Sequence, residues 1–139
     1  MKKYKFPIFA LLALICLTFT ACFIEIDLPP PRGPWGTPPF STPAPITGRA
    51  LGYGGLVSIT FELVDGYITS VVLDLTSESR AEAARVQANL PGIIESSNSF
   101  DFAVNVISRA TITTTAVRNA GRQAMIDNVP GVTAADFSN

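Results

Sequence analysis

The chain has 139 residues, with ten lysines and arginines against 11 acidic residues, two cysteines and no histidine. The missing histidine excludes a Ser-His-Asp triad, a Cys-His dyad and histidine-containing zinc sites. A net charge of −1 leaves no basic footprint for nucleic acid.

In chain order the first element is a leader. Lys2, Lys3 and Lys5 form a positive start, residues 6–19 are almost wholly apolar, and Ala21 precedes Cys22. This is the layout of a secretory signal, and the cysteine after a small residue suggests a bacterial lipoprotein. Residues 1–21 are therefore expected to be removed and Cys22 to carry lipid. Uncleaved, residues 6–24 nearly reach the roughly 20 apolar residues of a membrane span; Pro7, two threonines and Glu25 favour cleavage. Either way the rest of the chain is expected outside the cytoplasm, anchored to the cell membrane or the outer membrane. From Cys22 onward there is no lysine, and seven arginines face all 11 acidic residues, a formal charge of 7 − 11 = −4. That argues against a polybasic membrane patch. With Cys16 in the leader and Cys22 lipidated, no thiol remains for a disulfide.

Residues 27–47, "DLPPPRGPWGTPPFSTPAPIT", contain eight prolines in 21 positions. Proline breaks helices and lacks the N–H for a sheet ladder, so polyproline II is expected. At about 3.1 Å per residue the stretch reaches roughly 65 Å as a semi-rigid spacer. Residues 22–47 thus read as a tether, with Trp35 and Phe40 as anchors for a partner in the alternative reading. One domain over residues 48–130 and a tail over 131–139 follow. A domain this small buries only about 60% of its unfolded surface, so a bound cofactor would help to stabilise it.

Within the domain, Val57, Ile59, Phe61 and Leu63 alternate with polar residues, the period of a half-buried strand. Asp65-Gly66 supplies a two-residue type I′ turn, and residues 67–75 form the partner strand. This loop sets Phe61 opposite Ser70 and Ile59 opposite Val72. Residues 79–89 read as a short helix with Ser79 and Glu82 as a capping box and Pro91-Gly92 as its stop. "FDFAVNVI", residues 100–107, alternates again and is expected as a third strand. Ala116, Val117, Ala120, Gly121 and Ala124 then give a helix over about residues 114–126, closed by Pro130, with a small-residue stripe against the sheet. The fold class is α+β: a small, mostly antiparallel sheet built on a β-hairpin and packed with two helices.

Taken in order, "LGYGGLVSITFELVDGYITSVVL" and "NVISRATITTTAVRNA" resemble the FMN-binding domain family. That family includes periplasmic subunits of Na⁺-translocating NADH:quinone reductase and Rnf complexes, and small flavinylated lipoproteins. Its members show G-Y-G-G before a hairpin with a D-G turn, then D-x-x-S-G-A-T-x-T-S-x-A-V leading into a helix. Here Gly52, Tyr53, Gly54 and Gly55 match the first motif. Ser108, Ala110, Thr111, Thr113, Ala116 and Val117 match the second. The resemblance implies that Thr111 accepts FMN as a phosphoester from a separate flavin transferase that uses FAD. The chain would then be an electron carrier serving a redox partner such as a membrane reductase. Two positions depart: Arg109 stands where the family has glycine, and Asn105 where it has aspartate. A left-handed conformation at 109 would cost arginine roughly 1–2 kcal/mol. Its guanidinium would, alternatively, pair with a phosphate. These departures leave open non-covalent FMN and a flavin-free member acting as a surface binding or structural lipoprotein.

The physics of the residues is compatible with a phosphate site. A helix start gathers free amides and the positive end of the dipole, and the threonines at 113, 114 and 115 are expected to cap those amides or bond a phosphate oxygen. Glycines at 52, 54 and 55 permit close backbone approach to a flat ring on which Tyr53 could stack. Separately, threonines before a helix are ordinarily caps, and a glycine stretch ordinarily a bend.

Overall fold

The computed structural model describes residues 32–36 and 39–137. The expected leader, Cys22 and the first part of the tether lie outside the described residues. No helix among the described residues is long and apolar enough to cross a membrane.

Three antiparallel strands form a meander in the order β1 (Ile46–Leu51), β2 (Leu56–Val64), β3 (Tyr67–Asp74). Two helices, α1 (Arg80–Ser97) and α2 (Thr111–Asn128), are followed by a 3₁₀ turn at Ala134–Phe137. The α+β class and the hairpin-based antiparallel sheet are as the sequence leads one to expect. Val57, Ile59, Phe61 and Leu63 are all buried, as are Ile68, Val71 and Leu73 on β3. They meet Val86, Leu90 and Ile94 of α1 and Ala116, Val117, Ala120 and Ala124 of α2 in one core.

The β2–β3 turn is Asp65-Gly66, with φ of 51° and 81°, the left-handed pair a type I′ loop requires. The expected register holds for three pairs and then shifts: Glu62 faces Thr69, but Thr60 faces Val72 and Ile59 faces Leu73. Ser70, at φ 53°, is the extra residue of a bulge. A bulge reverses which face later side chains point to. Val71, Leu73 and Leu75 therefore reach the core, while Val72 points outward.

Strand β1 was not expected. Its inward residues are Ile46 and Gly48, with Ala50 partly buried, because α2 lies directly against it. A methyl group on Gly48 would overlap the carbonyl oxygen of Ala120. Such small residues leave almost no hydrophobic alternation to read.

Helix α1 has the expected Ser79 cap, whose Oγ accepts from the Glu82 amide (3.4 Å), while Glu82 Oε2 accepts from the Ser79 hydroxyl (2.7 Å) rather than from its amide as in a full capping box. It does not stop at Pro91 but runs through it to Ser97. Val86, Leu90, Ile94 and Ser97 continue one buried stripe across the proline. Burial of Leu90 and Ile94, at about 1.5–3 kcal/mol each, offsets the roughly 3 kcal/mol of an interior proline. Asn98 ends the helix in the left-handed conformation, φ 49°.

Residues 100–107 are not a strand. Phe100 and Phe102 do point inward, but no edge is open beside β3. There the Val71 amide donates to Glu95 Oε1 (2.9 Å) and the Ile68 amide to Asn98 Oδ1 (2.7 Å). Helix α1 thus takes the edge that a further strand would have used. Helix α2 starts three residues before the expected position and carries the small-residue stripe; the Gly121 position leaves room only for the Phe100 ring.

The described part of the proline-rich stretch packs on the domain. Trp35 is 4% exposed, its ring centroid 5.3 Å from that of Phe137. Its Nε1 donates to the Asn98 carbonyl (2.9 Å) and its amide to the Gly66 carbonyl (2.8 Å). Trp35 is thus an anchor for the chain's own core, and Phe40 packs partly buried against it.

Candidate functional site

The Gly52-Tyr53-Gly54-Gly55 stretch is the β1–β2 turn, closed by the Gly52 amide donating to the Gly55 carbonyl (2.7 Å). Its glycines make room for protein rather than ligand. A methyl on Gly54 would overlap the Ser77 carbonyl oxygen, and one on Gly52 would lie 2.5 Å from Glu78 Oε1. On that side the glycines are required by close packing on residues 77 and 78. Tyr53 is 68% exposed at the tip.

Glu78 joins this turn to the entrance of α2. The residue is 8% exposed. Oε1 accepts from the Gly54 amide (2.9 Å), and Oε2 accepts a short hydrogen bond from the Thr113 hydroxyl. A carboxylate beside the first turn of a helix is favoured by the helix dipole. The two motifs, more than 50 residues apart in sequence, are thus brought to one end of the molecule. Sequence reasoning missed Glu78, since nothing in "TSES" signals a partner 35 residues away.

At the α2 entrance Ala110 is the N-cap, with no side-chain cap bond. The first backbone bond of the helix runs from the Thr114 amide to the Ala110 carbonyl (2.8 Å). The amides of Thr111, Ile112 and Thr113 have no hydrogen-bond partner among the described residues. Thr111 is exposed and Ile112 is 54% exposed, so the outer side of the entrance is open. The inner side belongs to Glu78.

The other threonines are not caps. Thr113 is committed to Glu78, and Thr114 is fully buried with its hydroxyl unpaired among the described residues. Thr115 Oγ1 donates back to the Thr111 carbonyl (2.7 Å). Ser108, Arg109 and Asn105 are exposed in the turns that precede the helix. Arg109 adopts φ 61°, the left-handed region that favours glycine.

A groove of about 600 Å³ opens between the end of β3 and the first turns of α1, lined by Leu73, Leu75, Glu78, Arg80, Ala83 and Gln87 among others. Glu78 lies on its wall; Thr111 does not. At its rim the Asp74 carboxyl is held below its ordinary value of 3.8 by the Thr76 hydroxyl and amide, helped by Arg49. No cluster of three histidine, cysteine or acidic residues able to hold a metal occurs among the described residues.

The arrangement fits a phosphate monoester on the outer face of the entrance. Thr111 is exposed, and among the described residues its amide and those of Ile112 and Thr113 have no partner and no carboxylate is bonded to that side. It fits a free phosphate on the inner side poorly, because the Glu78 carboxyl already occupies that side. No protein-family model, curated protein or solved structure matches the chain.

Proposed function

We propose that the chain is a membrane-tethered, extracytosolic flavoprotein whose Thr111 carries FMN through a phosphoester. The observation that carries this reading is the open α2 entrance: an exposed threonine beside three amides that have no partner among the described residues, two positions after a left-handed residue at 109. That residue falls where the motif of the resembling family has glycine, and its backbone takes a conformation that glycine favours.

Attachment would be done by the separate transferase. The Thr111 oxygen attacks the phosphorus on the FMN side of FAD, the pyrophosphate bond breaks, and AMP leaves with its electron pair. The threonine proton goes to a base of the transferase. Thr111 has only to present its oxygen, and the amides of Ile112 and Thr113 would receive the phosphate charge. FMN, when bound, supplies electron transfer; an electron donor and acceptor of the membrane reductase kind would be the partners. Because Thr111 is open to solvent, a covalent bond rather than an enclosing pocket would hold the group.

A second reading is favoured by Arg109 and Asn105. Their bulk and lost charge would prevent the transferase from recognising the chain, leaving a flavin-free surface lipoprotein. Flavin absorbance of protein co-expressed with a flavin transferase, before and after denaturation, separates the readings. Flavin kept by the unfolded chain supports the phosphoester. Flavin released on unfolding points to non-covalent binding, and a colourless protein to the flavin-free reading.

A further inference from the structure

Thr111, Thr115, Arg118 and Arg122 follow one another on α2 at spacings of four, three and four, so they share one face of the helix. Arg118 stands seven residues beyond Thr111, about 10 Å along the axis at about 1.5 Å per residue. Its side chain is half-buried, and its Nε is buried without a hydrogen bond among the described residues. Asp101, the carboxylate of this patch, is already engaged by Arg122 (2.6 Å) and Arg32 (3.2 Å). Burial, and then repulsion from Arg122, lower the Arg118 pKa, while Asp101 opposes them. Of the three arginines around Asp101, two hold it in ion pairs, and Arg118, the one nearer Thr111 along the helix, has none among the described residues.

We propose that Arg118 is the binding partner of the N1–C2=O edge of a flavin ring attached at Thr111, and that it favours the reduced ring. This rests on the flavin reading above. An extended ribityl phosphate attached in the first turn of the helix would be long enough to run along this face to Arg118. Two electrons from a reductant and one proton from solvent, placed on N5, leave the reduced ring with a negative charge at N1. A guanidinium beside that edge stabilises the charge, most strongly where water is partly excluded.

The test uses the full chain co-expressed with a flavin transferase. Intact mass counts the attached FMN, and titration with dithionite against a reference dye gives the midpoint potential at neutral pH. Wild type, Arg118→Gln and Arg118→Lys are expected to carry FMN alike. The Gln variant should be harder to reduce by about tenfold in equilibrium constant, about 30 mV for two electrons. The Lys variant should recover most of the difference. A purely structural arginine would change the melting temperature without separating Gln from Lys in potential. Should the Gln variant not fold, Arg118→Met, which keeps the apolar stem, serves the same comparison. Equal potentials in all folded variants would overturn the assignment and leave the Thr111 attachment standing. A wild-type chain without the FMN mass would overturn both.

Discussion

Arg109 carries a bulky side chain through a backbone conformation, φ 61°, that disfavours any Cβ. Replacing it with glycine is expected to raise stability by about 1 kcal/mol in urea unfolding; a loss would show that the guanidinium makes compensating interactions. Combined with Asn105→Asp, the same change should raise flavin loading, and unchanged or lower loading would show that neither departure is an impairment. Glu78 presents the opposite case, a buried charged group whose partners are all in place. Glu78→Ala leaves the Gly54 amide and the Thr113 hydroxyl unpaired, and should cost about 1.5–3 kcal/mol in the same measurement. A change below about 0.5 kcal/mol, ordinary for a surface substitution, would contradict the bridging role.

Among the elements, α1 is where local preference and packing compete most openly. Pro91 removes a backbone hydrogen bond from a helix that continues to Ser97 because Ile94 is fully buried beyond it. Pro91→Ala is expected to stabilise the fold by about 2 kcal/mol, read as a higher urea midpoint, provided the helix is otherwise relaxed. A destabilised variant would mean that the proline's own packing outweighs the missing bond. The β2–β3 hairpin was legible in the sequence because its signals are local: alternation, then Asp65-Gly66. The bulge at Ser70 was not, because it is demanded by which of Val71 and Val72 the core can accept. Strand β1 was hidden by Gly48 and Ala50, whose smallness reflects contact with α2. Phe100 and Phe102 were legible as core residues, but their failure to form a strand depends on Glu95 and Asn98 covering the β3 edge. For the candidate site, the sequence shows Thr111 and the helix that follows it. It does not show Glu78, or that Thr113 and Thr114 are turned inward.

At the scale of the whole molecule, both ends of the described chain are pinned to one side. Arg32 stacks 4.4 Å from the centroid of the Trp35 ring, pairs with Asp101, and donates a short hydrogen bond to the Asp136 carbonyl. Asn98 holds the same segment through Nδ2, which donates to the Gly33 (3.0 Å) and Gly66 (3.2 Å) carbonyls. The proline-rich segment thus meets the domain at residues 32–36, away from the turn at Gly54 and the α2 entrance. The Asp136 carboxyl is held below its ordinary 3.8 by the Thr133 amide and hydroxyl, as Asp74 is by Thr76. A folded pKa below the unfolded one contributes stability that is complete above 3.8 and fades as pH falls through the lower, folded value. The urea midpoint should therefore decline below about pH 3.8. Asp136→Asn with Asp74→Asn should flatten that decline, and an unchanged slope would locate the acid sensitivity elsewhere.

All of these features leave the outer side of the α2 entrance open, and the most direct measurement of what it carries is intact mass. Full-length protein co-expressed with a flavin transferase should gain the mass of one FMN less one water, and Thr111→Ala should gain none. An unshifted wild type, or an adduct that survives in Thr111→Ala, would contradict the account.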